Sequence, residues 1–533
     1  MCKSENLVPS VSEVKIENDK KENLKIINFD EALSRTGFGK FNYFLVILSG
    51  IVLTAVLLET LSISFVMPVA EYDLNLTTEN KGILSSVAYA GIIASSHLSG
   101  FLADTKGRRK IIMFSLLLSF LCTIVSSFIE NFWGFAVMRF LCGFFISGSS
   151  TTIYAYLGEF HDIRKQSKVV MGAAFVFGIG CICVPLLALL IINQEWSFYI
   201  SFLDIDYKPW RLFVAVCGSL SLFSGICFIF LPESPKFIHS QGNNEKTLEI
   251  LRKVYKWNSG KSIKCYEVNE IESDKTNDKK TEKYNWVKKI WHQTAPLFQK
   301  DHVKNTFLLC SIQFLIFITS AGLYMFFPEI LNRSSEFMQI YPSSRSTICH
   351  ALEMTKITPN LIETIVNKTS VVKLEIETYE YAFLLEIIYA IGFALIGILV
   401  NTLGKLPIIF FILFGCALCA AAVSFVSIMT LSIYLYVILL ACGLAVNVIT
   451  TSTIELFPTN LRAMAISLSL MFGRLGSIFG TNVTSLLLDN YCEFTFLFSF
   501  FTLTLSCFLV FHIPNISYRI SRECNSSNNT SVS

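Results

Sequence analysis

The stretch Gly100-Phe-Leu-Ala-Asp104-Thr-Lys-Gly107-Arg108-Arg109-Lys110 lies between two long apolar runs. It places an acid at the end of one predicted helix and a basic cluster at the start of the next. Its two glycines permit a sharp reversal and close packing, and Asp104 can accept hydrogen bonds from neighbouring basic groups. We therefore predict a tight turn between two membrane-spanning helices, with charged groups that respond to helix movement.

The composition is that of a membrane protein. Of the 533 residues, 53% are hydrophobic and 16% are charged. The apolar residues form runs of roughly 20, which is long enough for a helix to cross a bilayer. We count six such runs between Phe41 and Leu231 and six more between Thr306 and Ile513. The sequence therefore predicts an all-α membrane protein with 12 transmembrane helices in two pseudo-symmetric six-helix halves.

The distribution of charge predicts how the chain is oriented. Short loops on one side are rich in Lys and Arg, whereas those on the other hold Lys81 and Lys208, and basic loops stay in the cytoplasm. The predicted parts are a cytoplasmic N-terminal segment (1–40), a first half (41–231), a cytoplasmic linker (232–305), a second half (306–513) with an outer loop (328–380), and a cytoplasmic tail (514–533). No removable signal peptide is expected before the first span.

Several classes of site and partner are not predicted. The net charge of +3 follows from basic cytoplasmic loops and gives no reason to expect a nucleic-acid partner. Most of the 16 cysteines fall within apolar helices and lack metal-ligand spacing. We expect no catalytic residue, no metal site and no cofactor. In the outer loop, Asn367 and Asn332 begin glycan acceptor patterns, and Asn367 is the better candidate.

Further motifs follow the same plan. Arg139 opens the fourth predicted helix, Glu159 ends it, and Glu233 lies in a Pro-Glu-Ser-Pro segment after the sixth. With the Gly100–Lys110 turn, these motifs resemble those of the major facilitator superfamily. A weaker copy occurs in the second half, where Gly404-Lys405 occupies the place of the basic turn and Glu455 and Arg462 follow the fourth helix.

The resemblance is closest to the synaptic vesicle glycoprotein 2 group and its insect relatives within the organic-ion and sugar porters. Three stretches carry it: Phe29 to Lys40, Phe65 to Pro68, and Glu455 to Arg462 with the following Phe472-Gly473-Arg474-Leu-Gly476. The chain departs from the group at Val56, where vertebrate members resemble a pattern with a second acid one turn before Glu59. Its outer loop is also shorter and contains one cysteine, Cys349.

The resemblance implies a secondary active transporter of a small organic solute, either an organic ion or a sugar-like molecule. It would work by alternating access, with protons as a candidate coupling ion. We expect a monomer in the plasma membrane or in a secretory or synaptic-type vesicle membrane, with both termini cytoplasmic.

The candidate residues fall into two groups according to their depth in the membrane, with binding residues in the middle of the helices and gating residues at their ends. Glu59 is mid-span, where a carboxylate is costly unless it is protonated, paired or facing water. It is the leading candidate for solute or proton binding, although a packed polar cluster would also explain it. Gln313, Tyr324 and Asn447 are candidate cavity residues, and Glu386 is expected to be solvated near the outer surface. The predicted gating network lies at the cytoplasmic ends of the helices and forms salt bridges across the halves in the outward-facing state. It comprises Gly100, Asp104, Gly107, Arg108, Arg109, Arg139, Glu159, Glu233, Glu455 and Arg462.

Two alternatives to a transporter are open. A vesicle-membrane scaffold or regulator could keep the transporter fold without moving cargo, and the missing first-helix acid and the degenerate second-half turn favour it. An intramembrane enzyme would need paired acids, a nucleophile with its base, or metal ligands, and the sequence offers none of these patterns.

Overall fold

A computed structural model of the chain describes residues 27–202, 204–272, 294–342, 345–357, 373–457 and 459–513. In the described part, 12 helices are long and apolar enough to cross a membrane, as the sequence predicted. The helices of the first half are α1 (Phe29–Arg35), α2 (Lys40–Leu61), α3 (Ile63–Val69), α4 (Thr78–Lys106), α5 (Arg108–Ser127), α6 (Phe132–Glu159), α7 (Ile163–Cys181), α8 (Cys183–Ile192) and α9 (Pro209–Phe230). A two-stranded antiparallel hairpin, β1 (Phe198–Ile200) and β2 (Ile205–Tyr207), precedes α9.

The second half is built in the same way. Its helices are α12 (Val303–Met325), α13 (Phe327–Ile340), α14 (Ile348–Ile357), α15 (Ile376–Leu403), α16 (Lys405–Phe425), α17 (Met429–Leu440), α18 (Leu444–Leu456), α19 (Thr459–Asn490) and α20 (Cys492–Val510). Three spans are interrupted near their middle, between α2 and α3, between α7 and α8, and at a 3-10 turn over Ala441–Gly443 between α17 and α18.

Two glycine turns show the internal repeat. Gly107 separates α4 from α5 with a φ of 106°, and Gly404 separates α15 from α16 with a φ of 81°. These positive φ values favour glycine because a Cβ would clash with the backbone. The two turns connect the second and third spans of each half, so the weak second-half motif occupies the position that the sequence predicted for it.

The predicted linker contains folded structure. After α9 come α10 (Pro235–Ser240), α11 (Asn244–Ser259) and two short 3-10 turns, Ile263–Cys265 and Ala295–Phe298. α11 packs on α1 around a small apolar core that includes Phe29, Leu33 and Leu251. The N-terminal and linker segments therefore form one layer against the bundle. We call this end of the molecule the linker face, and the opposite end the far face.

The outer loop expected over 328–380 is largely helical where it is described. α13 and α14 occupy much of it and contribute to the apolar core of the second half. A disulfide joins Cys349 in α14 to Cys492 at the start of α20. Phe327, Ile330 and Leu331 pack inward, so the start of this outer segment belongs to the apolar core.

Candidate functional site

The predicted turn brings most of its charged residues together. The Arg108 guanidinium lies 3.0 Å from an Asp104 carboxylate oxygen and 3.2 Å from a Glu159 oxygen. The Arg109 backbone N–H donates to Glu233 Oε1 over 2.9 Å. A Cβ on Gly107 would lie 2.4 Å from Glu233 Oε2, so glycine is required here for packing as well as for its φ.

Arg109 also joins the sixth span to this turn by hydrogen bonds. Its side chain donates from Nε to the Phe228 carbonyl over 2.9 Å and from Nη2 to the Ile229 carbonyl over 2.6 Å. These carbonyls belong to the last turn of α9, whose final four C=O groups lack helical partners. Asp104, Gly107, Arg108, Arg109, Glu159 and Glu233 therefore form one cluster at the linker face. All of them belong to the first half except Glu233, which follows its sixth span directly.

Other members of the predicted network are not in this cluster. Gly100 has no neighbour within 4 Å of a Cβ position. The Glu455 side chain lies outside the described residues. Arg462 Nε is buried and has no hydrogen-bond partner within the described part of the chain. Among the described side chains, the turn network thus ties spans of one half together, and none of its contacts reaches the second half.

The placement of Arg139 at the linker face was wrong. The fourth span runs back from the far face, so Arg139, in the second turn of α6, lies on the opposite side from Glu159. Its Nη2 donates to Ser126 Oγ over 2.6 Å, and its Nη1 lies 3.8 Å from Glu59 Oε2. Arg139 is therefore a partner of Glu59, which the sequence analysis had treated as a separate site.

Glu59 is 2% exposed and sits in a polar cluster inside the first half. Thr123 donates to its Oε2 over 2.5 Å, Cys142 donates to the same oxygen over 3.1 Å, and Ser221 donates to Oε1 over 3.2 Å. These donors come from α5, α6 and α9. With Arg139 they surround the carboxylate with one cation and three hydrogen-bond donors.

A second charged cluster joins the two halves at the far face. Lys81 in α4 lies 2.6 Å from Glu329 in α13 and 3.0 Å from Glu71. Arg333 lies 2.6 Å from the same Glu329 carboxylate and 3.6 Å from Asp489. Lys81, expected in a short loop, is instead a buried helix residue. We call these five residues the far-face lock.

The electrostatics of the far-face lock favour charged groups. Glu329 is 3% exposed, and burial alone would raise its pKa. The nearby charges of Lys81 and Arg333 outweigh burial and hold the pKa of Glu329 below its ordinary value. Around the lock, Thr78 donates to Asp489 and Ser485 donates to the Thr78 carbonyl, so α4 and α19 are also joined.

The contact between α4 and α19, which we call the seam, contains Arg474. This arginine had appeared only as part of the Phe472–Gly476 motif. Arg474 Nη1 donates to Ser96 Oγ of the other half over 3.0 Å, and its charge acts on the Tyr89 hydroxyl. No ion pair to Arg474 occurs within the described ranges. A lone arginine in an apolar helix was the available signal for a functional residue.

Glu386 is 6% exposed rather than solvated. Its Oε1 accepts a hydrogen bond from Tyr324 over 2.7 Å. The expectation was wrong because α15 begins at Ile376, which places Glu386 about 15 Å along the helix from the far face at 1.5 Å per residue. The small pocket beside it is lined by both halves, and its walls are Ser64, Phe65, Pro185, Tyr324, Phe327, Pro328, Ala382 and Leu385.

The remaining candidates have different environments. Tyr324 lines the Glu386 pocket, as a cavity residue should. Gln313 is fully buried and reaches Thr450 Oγ1 at 3.5 Å, whereas Asn447 is exposed. Asn332 is 7% exposed, and its amide donates to Glu336 and accepts from the Glu375 N–H, an environment that does not fit an attached glycan. Asn367 lies outside the described residues.

A family model described as Major Facilitator Superfamily matches residues 43–481. The chain belongs to the major facilitator superfamily. It is similar to mouse synaptic vesicle glycoprotein 2B, with 27% identity over 323 residues that cover 57% of this chain and 47% of that protein. Human synaptic vesicle glycoprotein 2A is 26% identical over 323 residues, covering 57% and 43%. The matched region thus spans less than half the length of these relatives.

Solved transporters share the fold of this major facilitator protein. The xylose transporter XylE from E. coli, in a partially occluded inward-open conformation, matches with a TM-score of 0.60 and 16% identity, covering 89% of this chain and 98% of that one. A mutant of the nucleoside transporter NupG matches with a TM-score of 0.58 and 12% identity, covering 89% and 100%. At these identities the likeness shows the fold, which is the two-half arrangement expected from the sequence.

Proposed function

We propose that this chain is a secondary transporter that moves a small organic anion by alternating access between its two halves. The observation that carries the proposal is Arg474, a cation in the seam between the halves with no ion pair in the described part of the chain. Charged side chains at membrane depth are costly, and they usually mark a pathway for substrate or ions.

The chemistry of Arg474 favours an anionic cargo over a sugar or a cation. A guanidinium presents a planar set of donors that matches a carboxylate or phosphate in two parallel hydrogen bonds. Ser96 and Tyr89, on the opposite wall, offer hydroxyl groups that could contact the rest of the solute. An anion bound here would contact both halves, so its binding energy could differ between the two conformations.

Alternating access requires contacts that form at one end of the molecule and break at the other. The far-face lock joins the halves in this structure, while the described contacts of the charged turn at the linker face are to the first half and to Glu233 directly after it. Breaking the Lys81–Glu329 ion pair would free α4 from α13, and breaking the Thr78–Asp489 hydrogen bond would loosen α4 from α19. This asymmetry favours a state that is closed at the far face, with the seam accessible from the linker face.

Proton coupling at Glu59 remains part of the proposal. Protonating this carboxyl would leave the buried Arg139 guanidinium without a charged partner. An unpaired buried charge of this kind costs on the order of several kcal/mol. The first half would then favour a rearrangement that gives Arg139 another partner. Gln313, Tyr324 and Asn447 remain candidate solute contacts on the second half.

The orientation is proposed from two independent features. The basic loops predict that the linker face and both termini are cytoplasmic. The Cys349–Cys492 disulfide lies at the far face, and disulfides persist in oxidising compartments such as the cell exterior or a vesicle lumen. Both features agree with a monomeric carrier in the plasma membrane or a secretory-type vesicle membrane.

The proposal is tested in reconstituted vesicles against a panel of organic anions, organic cations and sugars. We expect uptake of at least one anion, and a loss of about 10- to 100-fold in Arg474→Gln, as removal of a charged hydrogen-bond partner predicts. Arg474→Lys should retain part of the activity because it keeps the charge without the planar fork. The control Arg252→Gln removes an arginine of α11 outside the bundle and should leave uptake unchanged.

Two outcomes would contradict the proposal. Uptake confined to cations or sugars, with Arg474→Gln unaffected, would refute the anion assignment while leaving a transporter. A folded, correctly inserted protein that moves nothing in the panel would favour the alternative of a membrane scaffold or regulator.

A further inference from the structure

Glu386 is a buried carboxyl group with no cationic partner in the part of the chain that the structure describes. The ionisable groups that face it from the surrounding helices are Tyr324 on α12, Tyr389 on its own helix and Cys181 at the end of α7. The pocket residues of α3, α8 and α13 carry no ionisable side chain. No Lys, Arg or His faces this carboxyl within the described residues.

The position of this group matters because its pocket is formed by both halves. Ser64, Phe65 and Pro185 come from the first half, and the other lining residues come from the second. When the halves are together at the far face, Glu386 is shielded from water. If they separated there, this pocket would lose one wall and water would reach the group.

We propose that Glu386 is a proton-binding site that favours closure of the far face. In the closed state the group is a neutral carboxylic acid, since an unpaired carboxylate in an apolar pocket is strongly disfavoured. Its Oε1 accepts the hydrogen bond from Tyr324, and the acid proton is held on the other oxygen. On opening, the O–H bond breaks, the proton passes to bulk water and the carboxylate is hydrated.

The direction of the linkage follows from the number of protons bound. The closed state holds one proton more at Glu386 than the open state, so acid favours closure and alkali favours opening. Protonation therefore changes the balance between conformations, and this effect does not depend on which cargo is carried. The proposal could fail while the anion assignment holds, and the reverse is also true.

Infrared difference spectroscopy of the full-length protein in lipid nanodiscs tests the protonation state directly. We expect a C=O stretching band from a protonated carboxylic acid at neutral pH in the wild type. Glu386→Gln should lose this band and Glu386→Asp should keep it, because aspartate is also an acid. Tyr324→Phe should shift the band to higher frequency, since the carbonyl loses a hydrogen-bond donor. The control Glu249→Gln removes an exposed acid on α11 and should leave the band unchanged.

Hydrogen exchange measures the conformational consequence. At one mildly alkaline pH, Glu386→Gln should exchange more slowly than the wild type at the start of α4 and the end of α19, because the amide copies the protonated acid and favours closure. The proposal is overturned if the wild type lacks the infrared band or if the band persists in Glu386→Gln. Exchange at the far face that is equal or faster in Glu386→Gln, with the rest of the protein unchanged, would also overturn it.

Discussion

Glu59 and Glu386 are both buried acids at membrane depth, one in each half, yet their surroundings differ completely. Glu59 has Arg139 and three hydrogen-bond donors around it, all from the first half. Glu386 accepts a hydrogen bond from Tyr324 and lies in a pocket formed by both halves. Burial alone therefore does not define the role of a membrane carboxyl, because its partners decide which protonation state is stable.

The difference also separates two kinds of coupling. Glu59 is enclosed by helices of one half, so rigid rocking of the halves leaves its partners in place. The Glu386 environment changes in the same movement, since one wall of its pocket belongs to the other half. A group whose solvation changes with conformation can link proton binding to that conformation directly.

The largest expected effect is on the stability of the Glu59 cluster. Glu59→Gln leaves the buried Arg139 guanidinium unpaired, and breaking a buried ion pair costs about 3–5 kcal/mol. Glu386→Gln replaces a neutral acid with a neutral amide of similar shape and should change stability much less. Thermal unfolding of both variants in the same nanodiscs measures the difference.

A compensating variant checks the cause. Glu59→Gln combined with Arg139→Gln removes both charges and should recover part of the stability lost in Glu59→Gln alone. Equal melting temperatures for Glu59→Gln, Glu386→Gln and the wild type would show that the two acids do not differ in the way described.

The next effect concerns the far-face lock, whose charges oppose opening. Lys81→Met removes the buried ammonium between Glu329 and Glu71 and should weaken the closed state by about 1.5–3 kcal/mol, the range for hydrogen bonds to charged groups. The peptides at the start of α4 and the end of α19 should then exchange hydrogen faster. The control Lys253→Met removes an exposed i,i+4 pair on α11 and should leave this exchange unchanged.

The lock and Glu386 should respond to pH with opposite signs. Because the pKa of Glu329 is held below its ordinary value in the closed state, closure is stabilised above the ordinary pKa and this contribution is lost as pH falls through the lowered pKa. Acid therefore opens the lock, whereas acid favours closure at Glu386. In Glu386→Gln, far-face exchange corrected for its intrinsic pH dependence should increase as pH falls. A continued decrease would place the acid-favoured closure at another group.

The charged turn and the membrane spans were predictable from the sequence because each depends on residues that are close together in the chain. The Asp104–Gly107–Arg108 turn is a local pattern of an acid, a glycine and a base, and the 12 spans follow from apolar runs. Glu386 was not predictable in the same way, because its burial depends on where α15 begins and which face of that helix meets α3 and α8. Arg139 was assigned to the wrong end although it opens a span that starts at the far face, which the order of the spans predicts. Its pairing with Glu59 was not predictable, because it joins positions 80 residues apart. Glu329 lies in a segment that was taken for a loop.

The smallest effect is expected at Asp104, an acid that extends the comparison to the membrane surface. Asp104 is 65% exposed, and its ion pair with Arg108 has the i,i+4 spacing for which about 0.3–0.5 kcal/mol is typical. Arg108 keeps its second contact, to Glu159, when Asp104 is changed. Asp104→Asn should therefore leave thermal stability almost unchanged, and any change in transport rate should come from contacts made in another conformation.

Glu233→Gln is the variant to compare with Asp104→Asn. Glu233 Oε1 accepts hydrogen bonds from the backbone N–H groups of Arg109 and Ser234, and it joins the end of α9 to the turn. It should destabilise the first half more than Asp104→Asn does. If Asp104→Asn were the more damaging change in thermal unfolding, the turn would depend on its exposed acid and not on its buried one.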